Sequence, residues 1–304
     1  MPTGPDSAAL KLDAAVPKGV IMFWNIENYF HPSDDPEKDD DEFTPRGEKR
    51  WSYRRYRRKG VAVAKTMAAV AAKYGSFPVV AAFAEIENRR VLYHIAADTP
   101  LEKFEYGVIH RESPDARGID VGLIYRKGAF RPVAVDSLEV AADKPTRSIL
   151  YVKGILEGVP HDTLHIFVNH WPSKIGTQEA AARRRAAAAE TVRRMTDSLR
   201  REGRAVVAMG DFNDTPPEVD LGLENLALPL HEAGVGSLKY AGEWELIDQF
   251  HIGGGLRGRM EVFSPPFLLE PDKGYLGVKP RRTYIGPRYN GGVSDHLPIV
   301  LLLM

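Results

Sequence analysis

Apolar residues along this chain fall into short runs separated by Pro, Gly, Asp and Ser clusters. The runs are Val20 to Trp24, Val79–Ala84, Ile119–Tyr125, Ile149–Ile155, Leu164–Val168, Ala205–Met209, Leu246–Ile252, Met260–Phe263 and Leu297–Leu303. Each has the length of a buried strand. Two segments break this rhythm. From about Gly47 to Tyr74 the apolar positions Tyr56, Val63, Met67, Val70 and Tyr74 follow helical spacing, with Gly75 placed as a C-cap. From Gln178 to Leu199 the chain is rich in Ala and Arg, strong helix formers. Each half thus reads as strand, helix, strand and further strands, which predicts a layered α/β sandwich with sheets face to face and helices outside. Residues 1–19 read as a polar tail and 20–304 as one domain.

Composition narrows the chemistry. Hydrophobic residues make up 43% of 304, enough for a large core. Lys plus Arg and Asp plus Glu each number 41, so no global basic field advertises a nucleic-acid binder and phosphate attraction has to be local. Cysteine is absent, which excludes disulfides, thiolate metal sites and cysteine nucleophiles. No stretch approaches the length of a transmembrane helix and the N-terminus lacks a signal-peptide pattern; a cytoplasmic chain and a secreted chain with its signal removed both stay open. The acidic stretch Ser33 to Glu42 lacks EF-hand spacing and reads as a solvated loop. In the basic, aromatic cluster Arg50 to Lys59, helical spacing turns Tyr56 inward and leaves most arginines solvated.

Polar residues follow the apolar runs with regularity: Asn25, Glu85, Asn169 with His170, and Asp211 with Asn213. Ser294-Asp295-His296 precedes the last run, and an antiparallel last strand would bring it to the same sheet edge. Taken singly, each is an ordinary turn or strand-end residue. Asp248 is different, because a carboxylate inside Trp244-Glu-Leu-Ile-Asp-Gln-Phe needs a partner to be buried.

Jointly, Trp24-Asn25-Ile26-Glu27-Asn28, Glu85-Ile-Glu87, Asn169-His170-Trp-Pro-Ser173, Gly210-Asp211-Phe-Asn213-Asp214, Ile247-Asp248 and Ser294-Asp295-His296 resemble the endonuclease/exonuclease/phosphatase (DNase I-like) superfamily over residues 20 to 304. Arg117-Gly-Ile-Asp-Val121 and the Asn-His-Trp-Pro-Ser sequence resemble a bacterial group within it. The resemblance implies a four-layer sandwich of two mainly antiparallel sheets with one active site at the sheet edge. It also implies a metal-dependent hydrolase of phosphate esters that uses Mg²⁺ or Mn²⁺, with Ca²⁺ as an alternative. Glu85, Asn25 and Asp295 would hold the cation, since hard cations take oxygen ligands. Asp211 would orient or deprotonate water, Asn213 would hydrogen-bond phosphate or that water, and His296 would pair with Asp248. Either Asp211 or His296 fits the role of base. His170 would contact the scissile phosphate and protonate the leaving group, Glu27 would ligate or support the metal, and Arg117, Tyr125 and Arg147 would bind substrate. A nuclease or other phosphodiesterase is the first reading, with nucleic acid as the expected partner. A phosphomonoesterase, a lipid phosphodiesterase and a catalytically silent binding module are the alternatives.

Overall fold

The structure, a computed structural model, describes residues 17–157, 163–174 and 177–304, so residues 1–16 of the expected tail lie outside the described residues. The first half contributes β1 (Gly19–Tyr29), α1 (Tyr53–Tyr74), β2 (Val80–Ile86), α2 (Arg89–Ala97), β3 (Tyr106–His110) and β4 (Asp120–Arg126). There follow β5 (Phe130–Leu138), β6 (Ile149–Leu156), β7 (Leu164–His170), α3 (Gln178–Arg201), β8 (Ala205–Asp211), β9 (Glu224–Asn225) and α4 (Leu228–Glu232). The last part holds β10 (Leu238–Tyr240), β11 (Glu243–Glu245), β12 (Asp248–Gly253), β13 (Gly258–Val262), β14 (Leu269–Pro271), β15 (Val278–Pro280), β16 (Tyr284–Ile285), β17 (Arg288–Tyr289) and β18 (Ile299–Leu303).

Two six-stranded sheets carry the molecule, ordered β13-β18-β1-β2-β4-β3 and β5-β6-β7-β8-β12-β9. Each sheet contains one parallel pair, β1 with β2 and β7 with β8, and every other ladder is antiparallel. The parallel pairs are forced by the crossovers, because α1 and α3 return the chain to the same end before the next strand begins.

Side chains alternate between two apolar layers. Ile21 and Phe23 of β1 face Ile166, Val168, Val207 and Met209 of the second sheet. Val20, Met22 and Trp24 face outward onto Val63, Met67 and Val70 of α1. On the far side, Phe167, Val206 and Ala208 pack against Ala188 and Val192 of α3. The order is therefore helix, sheet, sheet, helix, the expected sandwich. Full burial of a side chain such as Phe23 contributes about 1.5–3 kcal/mol, so these layers supply the main stabilisation.

Helix α1 starts at Tyr53 and not near Gly47. Arg50 is left-handed at φ 46, and the Ser52 hydroxyl caps the helix by accepting from the Arg55 N–H. Its end is as expected, with Gly75 in the left-handed region. Within the basic cluster Tyr56 is buried and Arg54, Arg57 and Arg58 are exposed, as the helical spacing predicts. Among the described residues, no helix is long and apolar enough to cross a membrane.

Candidate active site

Parallel β1 and β2, and parallel β7 and β8, end at the same edge of the sandwich, where β12 and the segment before β18 begin. This edge encloses a cleft of about 420 Å³ lined by Glu85, His170, Asp211, Asn213, Asp295 and His296 together with Arg117, Arg147, Lys239, Lys279 and Arg282. Asn25 lies beneath it, donating to Glu85 Oε1 (3.1 Å) and Asp211 Oδ2 (3.0 Å). Asp248 lies behind His296 and opposite Asp211 in the β8–β12 register.

The strand ends are bent to point these groups inward. Glu27, Asn28, Glu85 and Asn213 all adopt left-handed backbone (φ 46, 49, 58 and 51), which costs a non-glycine residue about 1–2 kcal/mol each. The β1–β2 and β2–β4 registers shift at Glu27, Asn28 and Glu85, so these three sit in bulges that re-aim side chains, whereas Asn213 lies just past the end of β8. Hydrogen bonds hold the bends: Asn28 N–H donates to Glu85 Oε2, Glu27 N–H to Asn25 Oδ1, and Asn213 N–H to Asp211 Oδ1. Gly210 permits the approach of β7 to β8, since a Cβ there would stand 2.2 Å from the Asn169 carbonyl oxygen.

Asp211 is the centre of the second-sheet side. Its Oδ2 lies 3.7 Å from His170 Nε2 and 3.9 Å from His296 Nε2. Burial pushes its carboxyl up to about 7, with His296 and the hydrogen bonds from Asn25 and Asn213 opposing and Asp248 adding. His296 Nδ1 sits 2.8 Å from Asp248 Oδ2. Burial disfavours the imidazolium, but Asp248, Asp211 and Asp295 outweigh it and raise the pKa of His296 well above the ordinary value. His170 is the opposite case: burial, reinforced by Arg147, Arg117 and His296, pulls it well below the ordinary value and keeps it neutral.

The first-sheet side is organised by cations. Arg282 donates to Glu27 Oε1 (3.2 Å) and Asp295 Oδ2 (2.9 Å). Glu27 also accepts from the Thr283 N–H. Beneath them Lys59 of α1, which is buried, donates to the Glu27 carbonyl (2.6 Å) and to Thr283 Oγ1 (2.8 Å). Burial pushes Glu27 up to about 7, with Asp295 adding and Lys59 and Arg282 opposing. Burial pulls Lys59 down to about 8, against the nearby carboxylates.

Glu85 and Asp295 bring carboxylate oxygens, the ligands a hard divalent cation takes, to the cleft wall, whereas Asn25 turns its amide N–H groups to Glu85 and Asp211 and spends Oδ1 on the Glu27 N–H. Among the described residues, ligand atoms of Asp211, Asp248 and His296 lie within 4.8 Å of one another.

Three sequence expectations need restating. Tyr125 does not reach the cleft: it pairs with Val80 at the opposite end of the first sheet and lines a separate pocket with Phe130 and Glu157, so substrate contact here is withdrawn. Arg147 is buried, and its guanidinium donates to the His170 and Trp171 carbonyls and to Asp115, which makes it a support for β7. Asn213 spends one amide N–H on the Trp171 carbonyl. Arg117 lines the cleft with its side chain about half exposed.

Sequence reading missed Lys59, Ser237, Arg282 and Thr283. Ser237 is fully buried, and its hydroxyl donates to Asp248 Oδ2 (2.5 Å), the same oxygen that meets His296. The Asp120 of the Arg-Gly-Ile-Asp motif pairs with His110 and accepts from Ser113, so it fastens the loop that carries Arg117 and Asp115. No local pattern signals these partners; Lys59, Arg282 and Thr283 are distant in sequence from Glu27, and nothing in the intervening residues ties Ser237 to Asp248.

Solved structures share this architecture. Truncated TDP2 from Caenorhabditis elegans aligns with 16% identity, covering 94% of this chain and 97% of that one, at a TM-score of 0.59. TDP2 from D. rerio complexed with single strand DNA product aligns with 14% identity over 94% and 98%, at 0.59. A mannosyl-6-phosphatase from Bacteroides thetaiotaomicron aligns with 13% identity over 94% and 99%, at 0.57. At these identities the likeness is one of fold. No curated protein sequence matches the chain. The family model described as Endonuclease/Exonuclease/phosphatase family matches residues 20–304, from the first strand that frames the cleft to the last, and the chain belongs to that family.

Proposed function

We propose that this chain is a divalent-metal-dependent phosphoesterase, and within that class a phosphodiesterase of nuclease type that cleaves a P–O bond by attack of water. The observation that carries the reading is the surroundings of Asp211. One buried carboxylate is ringed by Asn25, His170 and His296 and stands beside an oxygen-only donor pair, Glu85 and Asp295. Arg117, Lys279 and Arg282 at the rim supply attraction for a phosphate.

Asn25, Glu85 and Asp295 would hold Mg²⁺ or Mn²⁺, which when bound supplies Lewis-acid charge to the phosphoryl oxygens. Asp211 orients the attacking water and accepts its proton, and a carboxyl pushed up to about 7 is matched to that task near neutral pH. His296, kept charged by Asp248, donates to a phosphoryl oxygen as negative charge builds there. His170 is held neutral, so its role is a hydrogen bond to the phosphate and not delivery of a proton to the leaving group. Asn213 keeps one amide N–H for the phosphate.

The single strand DNA product in the D. rerio neighbour supports a nucleic-acid substrate. The neighbour named a mannosyl-6-phosphatase supports a phosphomonoesterase as the second reading. The test is hydrolysis of a generic phosphodiester beside its monoester analogue, with Mg²⁺, with Mn²⁺ and with chelator. Chelator-sensitive diester cleavage that Asp211→Ala loses is the expected result. Preference for the monoester moves the conclusion to the second reading, and silence on both substrates overturns the phosphoesterase reading.

A further inference from the structure

One part of the cleft wall has no role in the polar chemistry described above. Tyr240 lines it and is 70% exposed as a residue, and it is the only tyrosine, tryptophan or phenylalanine among the described residues that lines it. An exposed tyrosine on a mobile loop would be unremarkable surface, but this one is presented rigidly. It ends β10, and the two residues that follow, Ala241 and Gly242, are both left-handed (φ 48 and 93), the geometry of a tight two-residue hairpin turn.

The hairpin is fixed on both sides. Towards the catalytic groups, Leu238 bridges to His296, the Leu297 N–H donates to the Ser237 carbonyl (2.7 Å), and Ser237 holds Asp248. Away from them, the almost fully buried Lys239 side chain pairs with Asp272 (3.2 Å) and donates to the Leu276 carbonyl (2.8 Å). The Tyr275 ring lies against Gly242 so closely that a Cβ there would come within 2.5 Å of it. The backbone of β10 is therefore locked relative to His296 while the Tyr240 ring faces solvent and cleft. A flat apolar face held beside cationic residues, at the mouth of a phosphate site, is what a nucleobase attached to that phosphate needs: stacking for the base and charge for the backbone.

We propose that Tyr240 is a specificity-determining stacking platform for the nucleobase next to the scissile phosphate, so that the cleft selects single-stranded nucleic acid over phosphodiesters lacking a ring. The proposal rests on the phosphoesterase reading for its biological sense and not for its test. The experiment is equilibrium binding of the full chain, with chelator present to exclude turnover, to a short oligothymidylate and to an abasic strand of equal length and charge. Expected is roughly tenfold tighter binding of oligothymidylate. Tyr240→Ala should erase that preference while leaving abasic affinity unchanged, and Tyr240→Phe should restore it. Equal affinity for the two strands, no measurable binding of either, or a preference that survives Tyr240→Ala overturns the proposal. If base-dependent binding is intact while metal-dependent hydrolysis is absent, the phosphoesterase reading falls and the stacking platform stands.

Discussion

The two sheets frame one cleft, yet they stabilise their polar groups by opposite means. On the first-sheet side, Glu27 and Asp295 are balanced by full cations, Lys59 from beneath and Arg282 from the rim. On the second-sheet side, Asp211 and Asp248 are held by amides, a hydroxyl and a histidine. The two arrangements nevertheless bring their acids to the same place: burial pushes Glu27 and Asp211 each up to about 7, opposed by Lys59 and Arg282 on the first side and by His296, Asn25 and Asn213 on the second. The crossover helices invert the contrast. Each sends one buried cation inward, but Lys59 meets a carbonyl and a hydroxyl, whereas Arg185 of α3 meets the Asp214 carboxylate directly at 2.5 Å.

The largest effect is expected on the second-sheet side. Asp211→Ala should lower kcat/KM by about a thousandfold or more with the fold intact, as the proposed role of Asp211 in holding the attacking water requires. Circular dichroism beside steady-state kinetics checks this, and near-normal turnover would abolish the distinction between the two sides.

Removing the buried cation tests the other side. Lys59→Met takes the donor from the Glu27 carbonyl, leaves the Thr283 hydroxyl only its bond to the Val293 carbonyl, and leaves Arg282 alone to offset Glu27 and Asp295. The expected loss is about 3–5 kcal/mol in denaturant unfolding. Arg185→Met should cost clearly less, because Asp214 retains solvent contact and lies 3.8 Å from Lys174. Equal losses would show that the two helices anchor the site in the same way.

A third prediction concerns pH. Burial pulls His251 of β12 down to about 3, with only Asp220 opposing. In the unfolded chain this group titrates near 6.5, so between pH 6.5 and 3 the unfolded state binds the extra proton and stability falls as pH falls. By pH 4 the contribution reaches about 3 kcal/mol of lost stability. His251→Gln, neutral throughout, should flatten that slope in urea titrations run from pH 7 to 4, and an unchanged slope would remove His251 as the cause.

The smallest effect is the most discriminating. Ser237→Ala takes one donor from Asp248 Oδ2 and leaves the His296 contact, so kcat should fall about tenfold with KM nearly unchanged. The pH profile of kcat should shift as well, which a purely structural loss would not produce.

Much of this architecture is legible in the residues. The apolar runs mark β1, β2, β7, β8 and β18 to within a few residues, because a strand buried on both faces must be continuously apolar. The same reading misses β5, an edge strand whose burial alternates, and β3, whose Tyr-Gly-Val-Ile-His sequence is too short and mixed to stand out. It places Asp248 inside its strand, whereas β12 begins at that residue, and it extends α1 past the Arg50 break. It also assigns Arg147 and Tyr125 to substrate binding. Strand length and register, which sequence does not encode locally, bury the first and carry the second to the far end of β4.

By itself, then, the sequence determined the alternation of strands and helices, the absence of thiol chemistry, and which polar residues end the strands, because these depend on periodicity and residue type. Tertiary structure alone decided that Lys59 and Arg282 counter the first-sheet acids, that Ser237 aligns Asp248, that His170 stays neutral, and that Tyr240 stands over the cleft. Most of those are relations between residues far apart in the chain, and burial and electrostatics act on distance in space, which only the folded arrangement supplies.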